Sequence, residues 1–248
     1  MRQRIVNGRW NLWVPDSIAD WDAPSGDYSA RRGWEFERFE SLKRWVHHDD
    51  LLIDVGAEHG WISAIISREI CPNLILVEPS AEFWWNIRKT WEYNGLVPPI
   101  ATAVGFAGHT TTDGAVSQYG WPAFLAGQWA DHPEIEAMAY RSLSSPGDIS
   151  TFAVDDLATH WWDPVAEGRH LHLNIDVEGA EMEVLRGAAQ SLADHKFATV
   201  HVSIHPDLMV PFGTTREEVV DYMAGFGYRG EHLGTDHEEH HLFRPVER

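Results

Sequence analysis

Two periodicities take turns along this sequence, and few architectures accommodate both. Short apolar runs such as LLIDVG (51–56) alternate with stretches in which apolar residues recur every three or four positions. A compact apolar run marks a strand buried on both faces, and such strands belong to parallel sheets with crossover helices on either side. The pattern predicts helices over 34–46, 60–70, 81–94, 180–193 and 215–225, with a turn of helix at 154–160. Strands are predicted at 51–56, 74–77, 100–104, 170–175 and 199–204. Two more, near 228–233 and 240–244, flank the polar turn GTDHEEH as a terminal antiparallel hairpin. Residues 106–150 break the alternation with Gly, Ser, Thr and Pro; a short helix is expected near 133–140. This stretch is too long for an ordinary connection and points to a lid or a substrate-binding insertion. Residues 1–33 lack steady periodicity and read as an irregular leader, leaving 34–248 as one α/β domain around a mainly parallel seven-stranded sheet with helices on both faces.

Charge narrows the partners. Nineteen Lys and Arg stand against 38 Asp and Glu, a formal net charge of −19. That disfavours binding to the phosphates of nucleic acid or to an acidic membrane surface. The one cysteine, Cys71, rules out an intrachain disulfide and a CxxC zinc site, so a reducing compartment, the cytoplasm, is the expectation. The opening MRQRIVNGRWNLWVP places charges where a signal peptide needs an apolar run, and no stretch approaches the ~18 apolar residues of a membrane span.

The chemistry gathers at strand ends. The first of the five internal strands runs into DVGAEHG (54–60), and the next ends at Glu78, eighteen residues beyond Gly60. A glycine turn admits a ligand to the backbone, and an acid at the neighbouring strand tip accepts ribose hydroxyls, as adenosine cofactors require. Glu58 stands where a dinucleotide fingerprint needs its third glycine, which sets a carboxylate against any pyrophosphate and demotes nicotinamide and flavin cofactors. S-adenosylmethionine has no phosphate and carries a positive sulfonium, so acids at this turn suit it. A second cluster, NIDVEGAEMEVLRGA (174–188), sets Asp176, Glu178 and Glu181 between a strand end and a helix start. Acids there also favour the helix dipole, which accounts for Glu181 and Glu183 without any function; Asp176 and Glu178 precede the helix and call for another reason.

DVGAEHG, VEP followed by a helix carrying Asn86 and Asn94, and NIDVEGAEMEVLRGA together resemble the FkbM family of S-adenosylmethionine-dependent methyltransferases over roughly residues 34–245. The resemblance implies a Rossmann-like class I methyltransferase fold and methyl transfer to a hydroxyl of a sugar, a glycan or another small molecule. It implies that Glu35, Asp54, Gly56, Ala57, Gly60 and Glu78 surround the cofactor, and that Asp176, Glu178 and His205 face the acceptor. Departures are Glu58 and His59 in place of Asn and an aliphatic residue, Asn174 in place of Lys, and Ser203 in place of Glu.

An alkyl hydroxyl is a weak acid, so methyl transfer to it needs a general base or a divalent cation. Asp176 and His205 are the base candidates. Asp176, His205, His237 and His240 are also cation candidates, because an antiparallel last strand brings the DHEEHH turn to the edge that carries Asp176. Against this, the stronger reading of such a turn is a solvated hairpin tip, since fifteen histidines in one chain produce clusters by chance. Thirteen tryptophans offer flat faces for a sugar; Trp10, Trp13, Trp121 and Trp129 lie where binding competes with packing. Two rivals remain: a nicotinamide-dependent reductase, and a glycan-binding protein on a methyltransferase scaffold without catalysis. The sequence leaves the oligomeric state open.

Overall fold

The computed structural model describes residues 1–6, 10–15, 35–112 and 150–246. An N-terminal hairpin, β1 (Arg2–Val6) and β2 (Trp10–Val14), precedes helix α1 (Phe36–Trp45). Then follow β3 (Leu51–Val55), α2 (Trp61–Glu69), β4 (Leu74–Glu78), α3 (Ala81–Asn94) and β5 (Ala101–Val104). Two short strands, β6 (Phe106–Ala107) and β7 (Thr151–Phe152), pair in parallel and bring together the two ends of the long intervening segment. The chain continues through α4 (Val154–Leu157), β8 (Leu171–Ile175), α5 (Glu181–Arg186), α6 (Ala189–Ala193) and β9 (Phe197–Ile204). It closes with α7 (Pro206–Met209), α8 (Arg216–Gly225), β10 (Tyr228–Thr235) and β11 (Glu239–Pro245).

Seven strands form the one mainly parallel sheet that the alternation predicts, in the order β10-β11-β9-β8-β3-β4-β5. β3, β4, β5, β8 and β9 pair in parallel, and β11 runs antiparallel to both β9 and β10. Successive strand residues face opposite sides, so β3 sends Leu51, Ile53 and Val55 into one core and Leu52 into the other. The first core is covered by α4, α5, α6 and α8, the second by α1, α2, α3 and β2. From β3 the chain builds outward through β4 to β5, then returns to β8 on the other side. The carboxyl ends of β3 and β8 therefore flank the point where strand order reverses, the crevice in which open α/β sheets bind ligands.

On the α1 side, β8 and β9 bury polar residues in place of apolar ones: His172, Asn174, Thr199, His201 and Ser203. A buried polar group must find a partner, and these do. His172 bonds Thr199 Oγ1 at 2.8 Å and Asp50 Oδ2 at 3.1 Å, and His201 bonds Ser41 Oγ of α1 at 2.9 Å. Asn174 donates to Asp54 Oδ1 at 2.7 Å. Directional bonds thus fix how α1 lies across the sheet, where an apolar contact would leave it free to slide.

Three sequence expectations change. The leader contains β1 and β2, and Trp10, Leu12 and Val14 are buried against α1, α2 and α3. Asn94 holds Trp13 through two bonds of 2.9 Å, so Trp10 and Trp13 serve packing. Three inward residues are too short a run to register as periodicity. The helix expected over 180–193 is two helices, parted at Gly187. A Cβ at Gly187 would lie 2.0 Å from the Gly108 carbonyl oxygen, and Asp155 N donates to the Gly187 carbonyl at 2.8 Å. The Asp155 carboxylate then accepts Gln190 N at 2.9 Å and Ser191 N at 2.7 Å, satisfying the first turn of α6. Most of the 106–150 insertion, with the helix expected at 133–140, Trp121 and Trp129, lies outside the described residues. Among the described residues, no helix is long and apolar enough to cross a membrane.

Because Asp155 caps α6 from a different helix, Asp155→Ala is expected to lower unfolding free energy by about 1–2 kcal/mol in urea titration, whereas an exposed cap worth nothing would leave the midpoint unmoved.

Candidate active site

At the reversal point a cavity of about 640 Å³ opens over the strand ends. The β3 turn contributes Gly56, Ala57 and Glu58, β4 contributes Glu78, and the segment after β8 contributes Asp176 and Glu178; Glu35 and His237 complete the polar wall. Trp61, Phe83, Phe106 and Phe212 form the apolar one. Gly56 has φ +89°, and a Cβ there would sit 1.7 Å from the Asp176 carbonyl oxygen, so the two strand ends close only around glycine. Gly60 (φ +77°) begins α2 beneath Ile87 and lies behind the cavity wall.

Three acids of the wall occupy the left-handed region that non-glycine residues avoid: Glu35 at φ 58°, Glu58 at 47° and Glu178 at 55°. Strain of this kind is retained where the surroundings enforce it, and it clusters at working sites. The enforcement is visible at two of them: Glu35 N donates to Asp236 Oδ2 at 2.9 Å, and Glu58 N donates to Glu78 Oε2 at 2.9 Å.

Glu78 is buried, and Ser80 N also donates to its Oε1 at 2.7 Å. Burial pushes its carboxyl up to about 7; the two N–H donors oppose this and the Glu58 carboxylate adds to it. Glu58 is likewise pushed up to about 7, by burial and by Asp176 and Glu178. Asp54 is tied to Ser63 Oγ at 2.6 Å as well as to Asn174, and burial raises its carboxyl. It braces β3 against α2 and β8 from behind the wall, whereas the sequence expectation set Asp54 beside the cofactor.

Arg38 of α1 organises the acids. Its guanidinium donates to Asp176 Oδ2 at 3.0 Å and Ser203 Oγ at 2.8 Å, and pairs with Glu35. Burial opposes its charge, but Glu35 and Asp176 hold it firmly protonated. Burial in turn raises the Asp176 carboxyl, with Arg38 pulling the other way. His205 sits behind Asp176: Nδ1 is 2.9 Å from Glu181 Oε1, and Nε2 is 2.5 Å from Glu238 Oε2 and 3.7 Å from Asp176 Oδ1. Although burial works against a charged ring, Glu181 and Glu238 push His205 up to about 10. A ring so held favours its protonated form, and it stands one layer behind Asp176, whereas the sequence expectation made it a base candidate facing the acceptor. His240 stands beside Glu35 and Glu238, with Nδ1 3.2 Å from Ser203 Oγ and Nε2 3.2 Å from Asp236 Oδ1.

Glu35, Gly56, Ala57, Glu78, Asp176 and Glu178 thus converge on one cavity, with His205 one layer behind. The turn read as a solvated tip folds inward instead, leaving Glu238 only 2% exposed. Sequence reasoning missed Arg38, Asp236 and Glu238, and read Glu181 as a helix-dipole acid. Arg38 had a signal: it lies four residues before Leu42 on the apolar stripe of α1, a place where a charge needs a buried partner.

A family model described as the methyltransferase FkbM domain matches residues 54–229. No curated protein matches. Among solved structures, TrmK from M. capricolum in complex with S-adenosylhomocysteine aligns at 10% identity over 83% of this chain and 66% of its own, with a TM-score of 0.42. An rRNA methylase from Streptococcus thermophilus aligns at 8% identity over 86% and 96%, TM-score 0.46. A methyltransferase from Pyrococcus furiosus aligns at 12% over 84% and 82%, TM-score 0.43.

The raised Glu78 carboxyl makes stability depend on pH with a definite sign. A carboxyl lifted from 4.5 to about 7 on folding stabilises the folded state below pH 4.5, and that contribution is lost as pH rises through 7. Chemical denaturation of wild type and Glu78→Gln without ligand at pH 5 and pH 8 is therefore expected to show the difference moving in favour of the variant by about 2–3 kcal/mol toward pH 8. A difference independent of pH contradicts this.

Proposed function

This chain belongs to the FkbM family of methyltransferases, and from that premise we propose that it transfers the methyl group of S-adenosylmethionine to a hydroxyl oxygen of a sugar, a glycan or another small molecule. The chain has the Rossmann-like class I methyltransferase fold. The observation that carries the cofactor reading is the charge of the cavity, which is walled by five carboxylates, those of Glu35, Glu58, Glu78, Asp176 and Glu178. A cavity of about 640 Å³ lies within the range of small-molecule sites, roughly 300–1,000 Å³. Its acids repel a pyrophosphate and favour a sulfonium, which supports the methyl donor over a nicotinamide nucleotide.

The residues divide the work. Each Glu78 oxygen accepts one backbone N–H and keeps a lone pair for a ribose hydroxyl. The cofactor supplies an electrophilic methyl group whose bond to sulfur breaks with both electrons left on a neutral thioether. Asp176 Oδ2 is pinned by Arg38, leaving Oδ1 to take the acceptor O–H proton as the new oxygen–carbon bond forms. Its raised carboxyl pKa brings it closer to that task than a solvated aspartate. Phe106 and Phe212 line the cavity while remaining about half exposed, which suits stacking on the apolar face of a sugar ring. The surplus of 19 acidic residues argues for an uncharged or cationic acceptor over a polynucleotide.

Isothermal titration is expected to show S-adenosylhomocysteine binding at one site and no NADH binding; the reverse result replaces the donor with a nicotinamide. Glu78→Gln is expected to weaken the nucleoside at least about tenfold, the worth of one charged hydrogen bond. Asp176→Asn, tested with methyl-labelled donor against a panel of hydroxylated acceptors, is expected to keep S-adenosylhomocysteine affinity and lose about 100-fold or more in transfer rate. Equal rates in variant and wild type remove Asp176 from the chemistry. Absence of any product from wild type favours the non-catalytic binding protein.

A further inference from the structure

His237 on the cavity wall and His205 and Glu238 behind it share an arrangement that the methyl-transfer scheme does not use. His205 Nδ1 lies 2.9 Å from Glu181 Oε1, and His237 Nδ1 lies 2.9 Å from Asp236 Oδ1. An ionised carboxylate only accepts, so each ring donates its Nδ1–H; Nε2 lies on the far side, and in His205 it becomes a ligand once an incoming ion displaces its proton. Both Nε2 atoms face the same carboxylate: His205 Nε2 is 2.5 Å from Glu238 Oε2, and His237 Nε2 is 3.4 Å from Glu238 Oε1. Glu238 is 2% exposed, yet neither of its oxygens receives a hydrogen bond in acceptable geometry. With no ion bound, the charged His205 ring and Arg38 are the cations that hold this carboxylate ionised, and a divalent ion would replace the ring proton.

We propose that His205, His237 and Glu238 bind one divalent transition-metal ion at the edge of the cavity, through the two Nε2 atoms and a Glu238 oxygen. The three ligand atoms lie within 4.8 Å of one another. Histidine ligands whose other nitrogen is held by a carboxylate are the usual outer layer of such centres, and Glu181 and Asp236 supply it here. Two imidazoles with one carboxylate favour manganese, iron, cobalt or zinc over magnesium, which prefers oxygen alone. Glu35, Asp176 and Glu238 gather around the guanidinium of Arg38, with Glu181 beside His205 and Asp236 beside His237, so the locality has negative charge for a dication. His237 and Asp176 both line the cavity, which gives the ion a way in and sets its remaining coordination positions toward the acceptor. There it would hold an acceptor oxygen and make its hydroxyl more acidic, with the proton passing to Asp176; this role rests on the methyl-transfer reading, while binding of the ion does not.

The test uses the full chain, stripped with chelator and titrated with manganese(II) chloride, with free ion read by electron paramagnetic resonance. One site at micromolar ion is expected. Its affinity should fall about tenfold or more in Glu238→Gln and in His237→Ala, the second variant altering a partly exposed side chain that the fold does not need. It should survive His232→Ala, which removes a separate group of His232, Glu239 and His241 elsewhere on the hairpin. Absence of binding below about millimolar ion, or binding abolished by His232→Ala and indifferent to Glu238→Gln, overturns the proposal. S-adenosylhomocysteine titrated into the same samples separates the two readings. Nucleoside binding without ion binding removes the metal centre alone, and ion binding without nucleoside binding keeps the centre and removes the donor.

Discussion

A single buried guanidinium sets the terms for this site. Arg38 bridges α1 to the ends of β8 and β9 through Asp176 and Ser203, and it neutralises part of an acid cluster that otherwise could not be assembled away from water. Removing one member of a buried ion pair leaves the other uncompensated, a cost of about 3–5 kcal/mol. The polar layer of β8 and β9 beneath α1 follows from the same constraint, since a helix that carries a charge inward must be registered by directional bonds. Ser41 with His201 and Arg38 with Ser203 provide that register.

The sheet supplies the rest of the geometry. Parallel strands place their carboxyl ends at one edge, and reversal of strand order beside β3 leaves a crevice there that no crossover helix fills. Gly56 lets the β3 turn meet the end of β8, and the acids that follow each strand then face one another across the gap. Their mutual repulsion, together with burial, raises Glu58 and Glu78 to about 7, so the ligand-free cavity is poised to accept positive charge or a hydrogen-bond donor. Such an electrostatic excess favours a phosphate-free cationic nucleoside over a pyrophosphate.

The architecture was legible because it rests on local pattern. Runs such as Leu51–Val55 and Leu171–Ile175 are buried at every position, and the polar turn between β10 and β11 announces a hairpin. Gly56 and Glu78, singled out at strand tips, both line the cavity for the same reason. What escaped depends on contacts between distant segments. Glu35 meets Asp236 across 201 positions and Arg38 meets Asp176 across 138, and no periodicity encodes either. The break at Gly187 depends on the Gly108 carbonyl pressing against it, and the inward fold of Glu238 on histidines far along the chain. Asp54 stands in the same motif as Gly56, but its bonds to Ser63 and Asn174 place it behind the cavity wall, which no local pattern announces.

The central claim is that the acid-walled crevice over β3, β4 and β8 is a nucleoside site with Glu78 at the ribose. A crystal structure of the complex with S-adenosylhomocysteine tests it most directly. The account predicts both ribose hydroxyls at about 3 Å from the Glu78 oxygens and the sulfur on the Asp176 side of the cavity. A nucleoside bound elsewhere, with Glu78 still engaged only by the Glu58 and Ser80 backbone, would contradict it.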